Sequence, residues 1–229
     1  MVLFQSVTPV VVSVLLLCSS QSHFTLGKVL AIQHEDVQLE TVLQEHGIIP
    51  DAMKTAPKHL CEIRYSRNAE IKLGNKLEPA AVERMPGLVT WPTSNNSYYT
   101  LIFVDLDVPS RDHPIYRDRQ QWVITNIPGN RWRDGETLTS YLGPVAPKNR
   151  GLHRCLFLIY EQLGRQDFRE ERFTHSDRNI VSRSCFSIDT FVSKYGLGQP
   201  HAVNFFLCGW PLNQDEISLR PKFNQSRYE

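Results

Sequence analysis

The stretch that most limits how this chain can fold is Leu101–Arg111, LIFVDLDVPSR. Its first four residues are apolar and partly β-branched, and a short run of that kind bounded by turn chemistry reads as a buried strand. The strand ends on two carboxylates, Asp105 and Asp107, with Pro109 just beyond. Proline cannot donate to a ladder and fixes its own φ, so the backbone leaves the sheet here in a rigid turn. Two readings of the carboxylates stay open at this point. They are either turn residues whose side chains bond nearby amides, or acid groups that a strand delivers to a fixed rim.

Short strands recur on both sides of this one. Leu60–Tyr65, Ile71–Leu73, Val89–Trp91 and Ala202–Trp210 have strand character, separated by turn signals at Gly74-Asn75 and Pro86-Gly87 and by a polar hairpin loop over Thr93–Ser97. The pattern up to Gln162 lacks the βαβ rhythm of a doubly wound parallel sheet, so the fold class is mostly β with peripheral α. Two helices are expected. One runs over Asp36–His46, capped by Asp36 and stopped by Gly47; the other covers Ser187–Tyr195, with Ile188, Phe191, Val192 and Tyr195 at i, i+3, i+4 and i+7 before Gly196. Between Gln162 and the second helix, Gly164–Ser184 mixes five arginines with four acids and reads as a solvated loop.

Some forty residues beyond the first stretch comes YLGPVAPKNRGLHRCLFLIYEQ, a Gly and Pro-rich loop running into an apolar strand with His153 at its entry. Together the two segments resemble the phosphatidylethanolamine-binding protein family, which includes the Raf kinase inhibitor proteins. The first family motif resembles Asp105, Leu106, Asp107, Val108, Pro109, Ser110 and Arg111; the second resembles Tyr141, Gly143, Pro147, Gly151, His153 and Arg154. The resemblance extends over roughly Asp36 to Trp210 and takes in Gly74, Leu77, Pro79, Val82 and Trp91. It implies a large antiparallel-dominated sheet packed on a smaller one with short helices. It also implies a shallow pocket for a small anionic ligand or phospholipid headgroup, with candidate ligand-binding residues Asp105, Asp107, Pro109, Gln121, Gly143, Pro147, His153 and Cys155. Neutral donors and a protonated histidine suit phosphate, and glycine lets backbone approach closely.

Inside the motifs the chain departs from the family. Residue 155 is Cys where Tyr is common, Gln121 stands where a histidine is usual, Arg119 and Gln120 replace an aromatic and a second histidine, and Val145 and Ala146 replace a glycine and a proline. Gln121 can still donate a hydrogen bond but cannot titrate near neutral pH. Arg119, beside Arg117 and Asp118, reads either as a solvated turn residue or as a compensating charge. The pocket is therefore retuned or lost. In the second case the scaffold acts through a protein partner, for example as an extracellular protease inhibitor. Catalysis is not expected: the chain has no G-x-S-x-G elbow, no HExxH and no Walker loop, and no cofactor or metal is implied because its cysteines and histidines lack ligand spacing. A Ser, His and Asp triad, whose members meet only in the fold, and a nucleophilic Cys155 beside His153 are the remaining alternatives.

The apolar run Val10–Cys18, followed by small polar residues, resembles a secretory signal peptide cut after Ser22, leaving residues 23–229 as a single domain with a polar C-terminal tail. No Lys or Arg precedes the run, so an uncleaved anchor or a cytosolic apolar tail stays open. The run falls short of the roughly 20 apolar residues that span a bilayer. Secretion agrees with two glycosylation sequons, Asn95-Asn96-Ser97 and Asn224-Gln225-Ser226. Cys61, Cys155, Cys185 and Cys208 either form one or two bridges or act as small buried hydrophobes. A net charge of +1 gives no pull toward nucleic acid.

Overall fold

The computed structural model describes residues 38–66, 69–148, 150–169 and 180–210. The leader, the Asp36 cap, the polar tail with its sequon and the middle of the Arg-rich segment lie outside the described residues. The chain divides into two compact units, Met1–Ala56 and Pro57–Glu229.

In the first unit, residues 38–45 are helical (α1) and bury Leu39 and Leu43, one turn apart, as the sequence pattern requires. Gly47 then takes a positive φ of 64°, which ends the helix before the short α2, Ile48–Asp51.

The second unit is built on a seven-stranded sheet. Its strands are β1 (His59–Leu60), β4 (Lys76–Leu77), β6 (Tyr98–Asp105), β7 (Arg119–Pro128), β8 (Glu136–Thr139), β9 (His153–Gln162) and β10 (Ala202–Cys208). The order is β1-β10-β9-β6-β7-β8; β4 also pairs with β10, and β1 and β4 run parallel to it while every other pairing is antiparallel. A small antiparallel sheet holds β2 (Glu62–Ser66), β3 (Ala69–Glu70) and β5 (Leu88–Thr90) in the order β3-β2-β5. Ile63, Ala69 and Val89 of the small sheet share one core with Leu101, Phe103, Trp122, Phe157 and Phe206 of the large one. Phe103 and Phe157, paired across β6 and β9, stack with centroids 3.9 Å apart. The mostly β class and the two-sheet arrangement follow the expectation.

Four local expectations change. The loop over Thr93–Ser97 closes no hairpin, because it leads from β5 of the small sheet to β6 of the large one. Leu60–Tyr65 is two strands rather than one, because the chain crosses from the large sheet to the small one at Cys61. Ile71–Leu73 is not a strand: Leu73 has φ 38° and begins the turn at Gly74. The Arg-rich segment is not wholly solvated where it is described. Phe168 is buried against Phe191 and Tyr195, and after α3 (Ile180–Arg183) begins, the Arg183 guanidinium donates to the Ser140 carbonyl at 2.9 Å and is itself buried. The second helix, α4 (Ile188–Lys194), is capped by the Ser187 hydroxyl, which accepts from the Thr190 amide, and it buries Ile188 and Phe191.

Candidate functional site

The site lies where three neighbouring strands of the large sheet end. Asp105 is the last residue of β6, His153 the first of β9 and Arg119 the first of β7. Asp105 stands opposite Cys155 on one side and Arg119 on the other, and His153 stands opposite Cys208 of β10. Directly paired residues share a face, as do residues two apart on one strand, so Asp105, Arg119, His153 and Cys155 all point to the core side of the sheet.

The acids of the first motif have separate partners. Nδ1 of His153 donates to Asp105, 2.9 Å from Oδ2 and 3.2 Å from Oδ1, and neither side chain reaches solvent. The Asp107 amide also donates to Oδ1 of Asp105 at 3.0 Å. Asp107 turns instead to Arg154: Nε donates to Oδ2 at 2.9 Å, Nη2 to Oδ1 at 2.7 Å, and the Arg154 amide to Oδ2 at 2.9 Å. This is a buried, forked ion pair whose hydrogen bonds satisfy both groups. It ties the turn after β6 to the start of β9, and its geometry is that of a brace rather than of a ligand contact.

Nε2 of His153 is different. It is buried and has no hydrogen-bond partner among the protein groups described. Burial pushes the imidazole pKa down, but the hydrogen bond and charge of Asp105, helped by Asp107 and opposed by Arg119, leave it raised above 6.5. Asp105 thus fixes the tautomer and favours the imidazolium, in which Nε2 carries a proton to donate.

Arg119 is not a solvated turn residue: it is 3% exposed. The β6–β7 ladder passes from Phe103↔Trp122 to Val104↔Gln120, so Gln121 is an extra, bulged residue of β7. Bulges re-aim side chains. Here the Gln121 amide is oriented so that its nitrogen donates to the Leu142 carbonyl at 2.7 Å while its oxygen accepts from Nε and Nη2 of Arg119, each at 3.0 Å. Among the described residues Gln121 is the sole hydrogen-bonding partner of that guanidinium, and no carboxylate lies within ion-pair distance of it.

The loop residues divide similarly. Gly143 serves packing: a Cβ there would lie 2.7 Å from the Val82 carbonyl oxygen and 2.7 Å from Cα of Glu83. The Tyr141 hydroxyl donates to the same Val82 carbonyl at 2.6 Å, so this turn is held against the 3-10 helix Pro79–Val82. Pro147 is exposed and Pro109 half-buried, the latter following a cis Val108–Pro109 bond. Cys155 is fully buried in the core, and its pKa is pushed well up, first by burial and then by the neighbouring Cys208 thiol. All four described cysteines are free thiols. Among the described residues no cluster of three His, Cys, Asp or Glu side chains could hold a metal ion.

The structure thus brings Asp105, Gln121, His153 and Cys155 to one place, gives Asp107 and Gly143 bracing contacts, and leaves Pro109 and Pro147 at more exposed turns. Sequence reasoning passed over Arg154. A basic residue on a strand as apolar as HRCLFLIY needs a buried acid, and that requirement was a usable signal.

A family model described as phosphatidylethanolamine-binding protein matches residues 66–206. The chain is 32% identical over 178 residues, 78% of its own length and 83% of the other's, to a Drosophila melanogaster protein that carries the name odorant-binding protein A5. It is also 32% identical over 160 residues to the 26 kDa secreted antigen of Toxocara canis, covering 70% of this chain and 60% of the antigen. Among solved structures, a chain from the crystal structure of carboxypeptidase Y inhibitor complexed with its cognate proteinase superposes with a TM-score of 0.66 at 20% identity, over 76% of this chain and 96% of that one. At that identity the likeness is one of fold.

Proposed function

The chain belongs to the phosphatidylethanolamine-binding protein family, and from that premise we propose that it is a secreted binding protein that holds a small anionic ligand, of the kind a phospholipid headgroup presents, at the ends of β6, β7 and β9. The observation that carries this reading is the buried Nε2 of His153, whose imidazole is anchored at Nδ1 by Asp105 and whose second nitrogen has no partner among the described residues. A buried polar atom left unpaired costs about 1–3 kcal/mol, so a ligand oxygen accepting from Nε2 gains that much in compensation. Binding rather than catalysis fits the chemistry of the site. The thiol of Cys155 is buried with a raised pKa, which disfavours the thiolate that a nucleophile needs.

Secretion is supported by the apolar run Val10–Cys18 and by the likeness to a secreted antigen. No helix of the described residues is long and apolar enough to cross a membrane. The test of the binding reading is calorimetric titration of the mature protein with inorganic phosphate and short alkyl phosphates. Saturable binding that falls at least about ten-fold in His153→Gln, the loss of one charge-assisted hydrogen bond, is the expected result; no heat with any anion overturns it.

The likeness to the carboxypeptidase Y inhibitor complex favours a second reading, inhibition of an extracellular protease through the protein surface. In that case inhibition survives His153→Gln unchanged.

A further inference from the structure

Given a pocket that holds an anion, we propose that Arg119 makes it select ligands whose buried group carries an uncompensated negative charge, and reject zwitterionic headgroups such as phosphoethanolamine. This rests on the binding reading above and goes beyond it by naming what the site discriminates.

The charges of the described site do not cancel. Asp105 pairs with His153 and Asp107 with Arg154, and each pair is neutral when the imidazole is protonated. Arg119 remains. It stands opposite Asp105 in the ladder, close enough for its charge to act on the His153 imidazole, and its hydrogen-bonding partner is the neutral amide of Gln121. A guanidinium that is 3% exposed with no carboxylate in ion-pair contact among the described residues is costly unless an anion meets it. Gln121 holds it in place, because its own amide is fixed by the Leu142 carbonyl. Two donors of the guanidinium are spent on that amide oxygen, and a planar fork of five leaves others for an oxyanion.

An anion alone is attracted by both Arg119 and protonated His153. An ammonium two carbons from the anion would lie near the guanidinium, whose charge no acid of the described site offsets, and like charges shielded from water repel strongly; the imidazolium, neutralised by Asp105, adds little to that repulsion. The family position held here by Arg119 commonly carries an aromatic, which a cation tolerates and favours. The exchange therefore reverses the sign of the interaction with a headgroup ammonium.

The direct test is a matched pair of ligands. Propyl phosphate and O-phosphoethanolamine have the same chain length and differ by a terminal methyl against an ammonium. On the wild-type protein, calorimetry should show propyl phosphate bound at least about ten-fold more tightly. Arg119→Gln should shrink that preference to within about two-fold, whereas His153→Gln should weaken both ligands together and keep their ratio. Butyrate, which presents one negative charge on a carboxylate where a phosphate monoester carries about −1.5 to −2 near pH 7, distinguishes selection for an anion from selection for phosphorus. It should bind wild type and lose affinity in Arg119→Gln. Equal or tighter binding of O-phosphoethanolamine to wild type overturns the proposal and leaves the binding reading standing, as does a preference unchanged in a folded Arg119→Gln. Failure of every ligand to bind wild type overturns both. The wild-type comparison decides the matter even if Arg119→Gln does not fold.

Discussion

Asp105 and Arg119 stand directly opposite each other across β6 and β7, yet they do not pair: the Asp105 carboxylate is turned to His153, and the Arg119 guanidinium to Gln121. That arrangement leaves the imidazolium anchored and the guanidinium without an acid among the described residues, and most of the site's expected behaviour follows from it.

His153 has its pKa raised in the folded chain, so its pairing with Asp105 contributes stability below its unfolded pKa, near 6.5, and loses that contribution as pH rises through the folded value. Thermal melts across a pH series should show wild-type stability falling on the alkaline side of 6.5. In Asp105→Asn the slope should flatten there. An unchanged slope in the variant would mean that His153 does not titrate against Asp105. Anion affinity should fall over the same window, because deprotonation turns Nε2 from donor to acceptor.

The Asp107–Arg154 pair predicts a strong asymmetry between single and double substitutions. Asp107→Leu alone leaves a buried guanidinium and should cost about 3–5 kcal/mol in urea unfolding, as should Arg154→Met. Asp107→Leu with Arg154→Met should recover much of that loss. Additive losses in the double variant would contradict a pairwise brace.

How much of this the sequence showed depends on the range of the interaction. The strand at Leu101, the helix after Ser187 and the mostly β class rest on local periodicity and turn chemistry, and the structure has them; the two-sheet arrangement follows from the motif resemblance. The proximity of Asp105 and His153, 48 residues apart, came from motif resemblance, and composition alone does not reveal it. Arg119 stays undecided in the sequence because its neighbours Arg117 and Asp118 look like a turn. Its burial is set by the register with Asp105 and by the bulge at Gln121, neither of which is written locally. Gly143 sits in a motif where glycine lets backbone approach a ligand, but its contact is with the backbone of residues 82 and 83, a tertiary fact.

Gly143→Ala should therefore act on folding before it acts on binding. The added methyl meets backbone atoms that cannot rotate away, a strain of about 1–3 kcal/mol, or a Tm lowered by roughly 2–4 °C for each kcal/mol in a domain of this size. Differential scanning fluorimetry reads it directly, and a Tm within a degree of wild type would show that the loop has slack.

Thiol chemistry should divide the cysteines as burial does. In the folded protein, Ellman's reagent should titrate Cys185, the exposed one, and reach Cys61, Cys155 and Cys208 only in denaturant. Rapid reaction of Cys155 in the native state would contradict its place in the core and revive a nucleophilic role.

The central claim is that Nε2 of His153 donates to a bound anion, and NMR of protein labelled with ¹⁵N-histidine tests it most directly. Adding inorganic phosphate at pH 6 should shift the Nε2 resonance of His153 saturably, slow exchange of its proton, and leave Nδ1 hydrogen-bonded to Asp105. A His153 signal that does not move at any phosphate concentration, while the protein remains folded, would contradict the account.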